Sequence, residues 1–193
     1  MMGVSMNNHI TMQIHSDKIK LRRFAMQLYF AGDLRRYVGK EIQMNYWRMQ
    51  LHPDDAENAG YYANQSIAAG FIGLDFATEV GDLLSDAHQN ILATQKDYVD
   101  FAKNMSVGDK VLIIVHHFPF AVVTVDGEYN YIRRTAPELG VWFRHFRRIK
   151  DTIYFSDFKT NAKSWEQYIM TDTISILRDT NSKSYRLIQE MTK

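Results

Sequence analysis

Two adjacent histidines, His116 and His117, are the residues whose type most directly suggests metal chemistry. A protein metal site needs three or four ligands that converge on one ion. The sequence KVLIIVHH around the pair predicts a buried strand, and neighbouring strand residues point to opposite faces of a sheet. No acidic residue or further histidine stands at ligand spacing nearby, so the sequence predicts no metal site and no bound cofactor.

The motifs of common catalytic sites are missing as well. The chain has no G-x-S-x-G, P-loop, G-x-G-x-x-G or H-E-x-x-H motif, and it has no cysteine to serve as a nucleophile or zinc ligand. Carboxylate pairs such as Asp54 and Asp55 are typical of turns and helix caps. The sequence therefore does not predict an enzyme.

Aromatic and basic residues interleave in two predicted strands. Tyr129, Tyr131 and Arg133 alternate in one of them, and Trp142 and Arg144 alternate in the other. Bases stack on aromatic rings and arginine holds phosphates, so this pattern is typical of a sheet face that binds nucleic acid. Core packing accounts for most of the aromatic residues, and the remainder are free for such a face.

The charged residues are segregated along the chain, although the net charge is only +1. Residues 54–100 contain nine acids and one base, whereas residues 18–40 contain seven bases and one acid, and residues 128–150 contain six bases and two acids. A chain of this kind can present one cationic face that attracts polyanions. Ion pairing between the segments, together with solvated surface, is an equally open interpretation.

Periodicity predicts the elements that must position these residues. Strands are predicted over 46–51, 71–76, 110–117, 120–125, 128–133, 142–149 and 152–155. Helices are predicted over 18–40, 55–69, 87–105, 164–177 and 182–191.

The strands do not alternate regularly with helices, which argues against a doubly wound sheet. The sequence predicts an α+β fold, in which helices flank a small, curved, barrel-like and mostly antiparallel sheet. Residues 44–156 are expected to form this domain. A basic, partly helical extension over 1–43 is expected to precede it, and a helical extension over 157–193 is expected to lead to another domain.

The order of several short segments resembles the PUA-like superfamily, and within it the EVE and YTH-like branch. The segments are YWRMQLHP, GFIGLDF, GDL, the helix that ends in FAKNMSVGDKVLIIV, the GEYNY hairpin and the basic strand WFRHFRRI. Similar segments occur at the amino terminus of McrBC-type and other modification-dependent restriction proteins. The resemblance covers residues 44–156 and implies an aromatic pocket for a modified base, either flipped from duplex DNA or part of an RNA.

The resemblance also implies candidate site residues. Residues 70–76 match the family's G-x-I-G-I-x-W stretch, whose last position often forms a pocket wall and is Phe76 here. Asp75 is either an acceptor for an exocyclic amine of the base or only a loop residue. Trp47 and Phe118 are further wall candidates by their strand positions. The cationic surface that would contact phosphates comprises Arg133, Arg134, Arg144, Arg147, Arg148 and Lys150.

These patterns favour a specificity module that binds nucleic acid and reads a modified, methylated base, with DNA preferred over RNA and a nuclease or motor domain as a further partner. An RNA-binding module, a small metal-dependent hydrolase or nuclease that uses the acids of 54–100, and a protein–protein adaptor remain alternatives. No apolar run approaches the roughly 20 residues of a membrane helix. The first residues do not read as a signal peptide, so a cytoplasmic protein with no membrane partner is expected.

Overall fold

One long strand, His145–Tyr154, lies at the centre of the fold. The structure is a computed structural model that describes residues 44–51, 55, 57–75, 79–85, 95–155, 168 and 172–193. Seven strands lie within these residues: β1 (Tyr46–Gln50), β2 (Phe71–Leu74), β3 (Lys110–Val115), β4 (Phe118–Val125), β5 (Asn130–Tyr131), β6 (His145–Tyr154) and β7 (Ile174–Ile176). The helical elements are α1 (Ala59–Ala68), α2 (Lys96–Val99), a π-helical turn that continues α2 (Asp100–Asn104), a 3-10 turn (Pro137–Leu139) and α3 (Lys183–Met191). The predicted helix over 18–40 and the basic extension over 1–43 lie outside the described residues.

The strands form a mixed sheet that curls into a half-barrel. Its order is β2-β6-β4-β3-β1-β7, and the short β5 also pairs with β6. The β1–β3 ladder is parallel, whereas the other ladders between the described strands are antiparallel. The expectation of an α+β fold with a small, curved, mostly antiparallel sheet is therefore confirmed.

Strand β6 joins the two strands predicted over 142–149 and 152–155 into one, through a β-bulge. Its register with β4 passes from the pair Thr124↔Lys150 to the pair Val122↔Ile153, which leaves one extra residue on β6. Asp151 lies at this point with a φ of 49°, the left-handed conformation that such bulges use. The bulge bends β6, so that its first half pairs with β2 and β5 and its second half pairs with β4.

The two faces of the sheet are covered differently. The inner face carries the main core, which includes Trp47, Met49, Phe101, Val123 and Phe143. On the outer face, α3 covers a second, smaller cluster, formed by Leu112, Ile114, Val122 and Ile188. Burial alternates along the first half of β6, so that successive residues face the core and the outside in turn. The uncovered part of the outer face is where surface chemistry can take place.

Strand β7 corrects the prediction of a helix over 164–177. Ile174, Ser175 and Ile176 form an antiparallel ladder with β1, in the period of two that a half-buried strand requires. The signal was weak because three residues give too few repeats to separate a strand from a helix. The predicted helices over 55–69 and 182–191 are confirmed as α1 and α3.

The adjacent histidines are not at the end of a strand, as predicted, but form the turn between β3 and β4. His116 and His117 have φ values of 49° and 68° and are the two loop residues of a tight hairpin. Two positive φ values are what a two-residue hairpin turn of the favoured twist requires. Among the described residues, no helix is both long and apolar enough to cross a membrane.

Candidate functional site

Two predicted site residues, Asp75 and Arg144, meet where β2 ends and β6 begins, and they bind each other. The Arg144 Nε donates to Asp75 Oδ1 over 2.8 Å, and Nη2 donates to the same oxygen over 2.6 Å. Both side chains are largely buried, with 18% of Arg144 and 11% of Asp75 exposed. The hydrogen bonds to Asp75 are the main cause that raises the pKa of Arg144, so the guanidinium is fixed as a cation.

Glu79 and Tyr131 extend this polar cluster towards the solvent. Arg144 Nη1 donates to Glu79 Oε2 over 2.5 Å, and the Tyr131 hydroxyl donates to Glu79 Oε1 over 2.5 Å. The Tyr131 hydrogen bond is the largest cause that lowers the pKa of Glu79, followed by the one from Arg144. The carboxylate is therefore held in its charged form at the surface. Sequence reasoning missed Glu79, because nothing in its neighbourhood marks a partner 65 residues away.

His145 continues the cluster into the core through two successive hydrogen bonds. The Leu83 backbone N–H donates to the Tyr129 hydroxyl over 3.1 Å, and that hydroxyl lies 2.8 Å from His145 Nδ1. The tautomer of His145 decides which of these two groups donates. Burial lowers the pKa of His145 to about 4, so the ring is neutral at neutral pH.

Arg147, predicted to contact phosphate, lies inside the fold. Its side chain is 1% exposed, and its N–H groups donate to the backbone carbonyls of Phe101 (2.9 Å), Gly127 (3.1 Å) and Ala102 (3.2 Å). Two of these carbonyls belong to the π-helical turn after α2. Arg147 thus ties that turn to β6, and burial lowers its pKa.

Trp47 and Phe118, the predicted pocket walls, are not brought together. Trp47 is fully buried, and its Nε1 donates to Asp109 Oδ2 over 2.7 Å. It pairs with Val111 on β3, whereas Phe118 pairs with Val115, four residues further along that strand. This separation along the strand is roughly 13 Å. Phe76, the third predicted wall, lies outside the described residues.

The remaining predicted cations are exposed. Arg133 and Arg134 follow β5, and within the described part of the chain neither forms an ion pair. Arg148 and Lys150 lie on β6 with side chains 65% and 52% exposed. Arg148 Nη2 lies 3.5 Å from Asp126 Oδ2, and Lys150 Nζ lies 3.0 Å from Asp126 Oδ1. One carboxylate therefore forms ion pairs with two cations.

Two phenylalanines lie beside these bases on the outer face of the sheet. Phe71 of β2 pairs directly with Arg148, and its ring packs edge-on against Phe146, with centroids 5.5 Å apart. Phe146, Arg148 and Lys150 alternate along β6 and so share the outward face. We name Phe71, Phe146, Arg148 and Lys150 the outer patch. Sequence reasoning did not include Phe71 in a site, because only the β2–β6 register reveals its neighbour.

Trp142 packs against α1 and is not part of the outer patch. It packs edge-on against Tyr61 and Tyr62 of α1, with centroids 5.6 Å and 5.1 Å away. Tyr129 is buried in the core, so the stripe predicted from Tyr129, Tyr131 and Arg133 does not lie on one open face. The aromatic residues that do accompany exposed bases are therefore those of the outer patch.

Several described acids of the 54–100 segment have partners within the fold. Asp75 and Glu79 bind Arg144, and Asp100 binds Lys96 and Asn104. Within the described ranges, no group of three histidine, aspartate or glutamate side chains is placed to hold a metal ion. In the comparisons with known proteins, no family model and no curated protein matches this chain.

Proposed function

We propose that this protein is a nucleic-acid-binding module whose outer patch holds the phosphate backbone. The observation that carries the proposal is Arg148 on an open sheet face, with Phe71 beside it across the ladder and Phe146 and Lys150 on either side of it along β6. Arginine and lysine side chains bind phosphates through salt-dependent contacts. Aromatic rings on a sheet stack against exposed nucleobases. One acid, Asp126, shared by two cations leaves the patch net positive.

The finer proposal is that the module reads a modified base, as a PUA-like, EVE-type domain of a modification-dependent restriction system would. The curled α+β sheet and the segment order support it. Asp75 lies directly after β2, and Arg144 holds its carboxylate in one orientation, which a group that reads a base edge requires. In this proposal Phe76 supplies the pocket wall, the ligand is DNA rather than RNA, and a nuclease or motor domain in the cytoplasm acts on the bound site.

The test compares duplexes that carry unmodified cytosine, 5-methylcytosine or N6-methyladenine at two salt concentrations. We expect binding to weaken as salt rises. The double variant Arg148→Ala/Lys150→Ala should reduce the slope of log K against log salt by about 1.8, because each lost phosphate contact removes about 0.9. The loss should be uniform over the three duplexes, because phosphate contacts carry no sequence information.

Arg186→Ala is the matched control, since Arg186 is an exposed arginine of α3 that binds Asn181. It should leave the slope unchanged. Equal, weak and salt-insensitive binding to all duplexes would contradict nucleic-acid binding. A slope that falls as expected, without discrimination among the three duplexes, would retain the binding module and reject the modified-base reader.

A further inference from the structure

Phe146 lies in the middle of a three-stranded part of the outer face. Its strand, β6, pairs with β2 on one side and with β5 on the other, so that Phe146 stands opposite Gly73 and Asn130. The ring is partly exposed, and the neighbouring Phe71 packs edge-on against it. An aromatic ring on an open sheet face can stack against a planar base.

The width of this part of the sheet keeps Phe146 away from the bases of a duplex. The major groove of B-DNA admits an α-helix or a two-stranded ribbon. Phe146 belongs to the middle strand of three, and a neighbouring strand lies about 4.8 Å away on each side. A base inside a duplex is also stacked between its neighbours and has to leave the stack to meet a protein ring. A base that reaches Phe146 is therefore unpaired.

Asn130 provides a hydrogen-bonding group beside the ring. Asn130 and Phe146 are direct partners in the β5–β6 ladder, so their side chains share a face with Cβ atoms about 5 Å apart. The exposed Asn130 amide nitrogen donates to the Glu128 carbonyl oxygen over 2.8 Å. Within the described residues this is the one hydrogen bond of the side chain, which leaves an N–H and Oδ1 for a ligand. Asparagine offers such a donor and acceptor to N7 and the N6 amine of adenine.

We propose that the outer patch binds single-stranded nucleic acid, with a base, preferably adenine, stacked on Phe146 and its edge bound by Asn130. Arg148 and Lys150 follow Phe146 on the same face at steps of about 7 Å, so they hold the phosphates next to that base. The inference rests on the proposed function. It adds the unpaired state of the bound strand and the residue that selects the base.

The test measures the fluorescence anisotropy of labelled DNA of about 12 nucleotides, a length in the range that single-strand binding modules cover. One strand alternates cytosine and adenine, a second alternates cytosine and thymine, and a duplex joins the first strand to its complement. We expect the adenine strand to bind about tenfold more tightly than the duplex, because only its bases are free to stack. It should bind about fivefold more tightly than the thymine strand, because of the contact to Asn130.

Substitutions separate the ring from the amide. Phe146→Leu keeps an apolar side chain but removes the ring, and it should weaken binding of both single strands by about tenfold. Tyr154→Leu is the matched control, because Tyr154 is an exposed aromatic residue of β6 outside the outer patch, and it should bind as the parent does. Asn130→Ala should abolish the preference for the adenine strand and leave binding of the thymine strand unchanged. Circular dichroism verifies the fold of each variant.

The inference and the proposed function fail in different ways. A duplex bound as tightly as the adenine strand, with salt-dependent affinity, would overturn the inference and retain nucleic-acid binding. This comparison uses the parent protein, so it does not depend on the folding of any variant. Parent-like binding by a folded Phe146→Leu variant, or equal binding of the two single strands by the parent, would likewise overturn the inference. Absence of binding to every strand and duplex would contradict the proposed function itself.

Discussion

His145 provides the clearest pH dependence that a single residue of this fold contributes. Burial lowers its pKa from 6.5 to about 4, so the unfolded chain takes up a proton at a pH where the folded chain does not. Its contribution to stability is complete above pH 6.5 and is lost as the pH falls towards 4. The loss should reach about 3 kcal/mol at the lower limit.

Urea unfolding between pH 7.5 and pH 4 measures this effect, with His145→Asn and His117→Asn as the compared variants. His145→Asn should be less stable at neutral pH but should have a shallower pH slope than the parent. His117→Asn, at an exposed turn position, should retain the slope of the parent. A parent-like slope in His145→Asn would assign the pH dependence to other groups.

The bidentate contact between Arg144 and Asp75 gives a second prediction at the same scale. Arg144→Lys keeps the charge but cannot donate two hydrogen bonds from one plane to the carboxylate. We expect a loss of about 2 kcal/mol in the free energy of unfolding. Arg133→Lys, at an exposed position, should change stability by less than about 0.5 kcal/mol. Equal effects of the two substitutions would show that the Asp75 contact contributes nothing specific.

The sequence marked Asp75 and Arg144 as candidate site residues, but it did not show that they bind each other. Asp75 and Arg144 were each predicted to face a ligand, and the structure pairs them across 69 residues. Arg147 shows the same limit. Its neighbour Arg148 is basic and exposed, and only the alternation of β6, combined with the contact to the π-helical turn, places Arg147 inside.

At the scale of elements, the contact between β2 and β6 depends on a residue without a side chain. A Cβ atom at Gly73 would overlap the Cβ of Phe143 and would lie 2.6 Å from the His145 carbonyl oxygen. Gly73→Ala should therefore separate the two strands and destabilise the fold by about 3 kcal/mol, as strong overpacking does. Thermal unfolding measures the loss.

Gly60→Ala is the matched control for this substitution. A Cβ at Gly60 would meet Val115 Cγ1 at 3.7 Å, an ordinary contact, and the residue lies within α1. The substitution should stabilise the fold by about 0.5 kcal/mol, because alanine favours a helix. A Gly73→Ala variant as stable as the parent would indicate that β2 shifts at little cost.

The elements predicted correctly from the sequence are those whose hydrophobic pattern extends over many residues. The β-branched run that became β3 and the periodic stretches that became α1 and α3 were identified from sequence, whereas the three-residue β7 was taken for helix. The merger of two predicted strands into β6 could not be foreseen. It depends on a bulge at Asp151, and aspartate adopts a positive φ without any pattern that announces it.

For the whole molecule, the segregated charges serve two purposes. Part of the acidic segment neutralises part of the basic one, as Asp75 and Glu79 do for Arg144. Other bases of residues 128–150 stay at the surface, where Arg148 and Lys150 form the cationic half of the outer patch. The sequence left ion pairing and a cationic face as alternatives, and the structure contains both.

The position of β1 has a consequence for how the chain is synthesised. Trp47 pairs with Val111 on one side and with Ile176 on the other, so both neighbours of β1 are translated after it. At ribosomal elongation rates, the second neighbour emerges on the order of ten seconds later. During that interval β1 has an unpaired edge, and unpaired strand edges promote intermolecular association. Pairings so distant in sequence also make folding slow, which prolongs the exposure of β1.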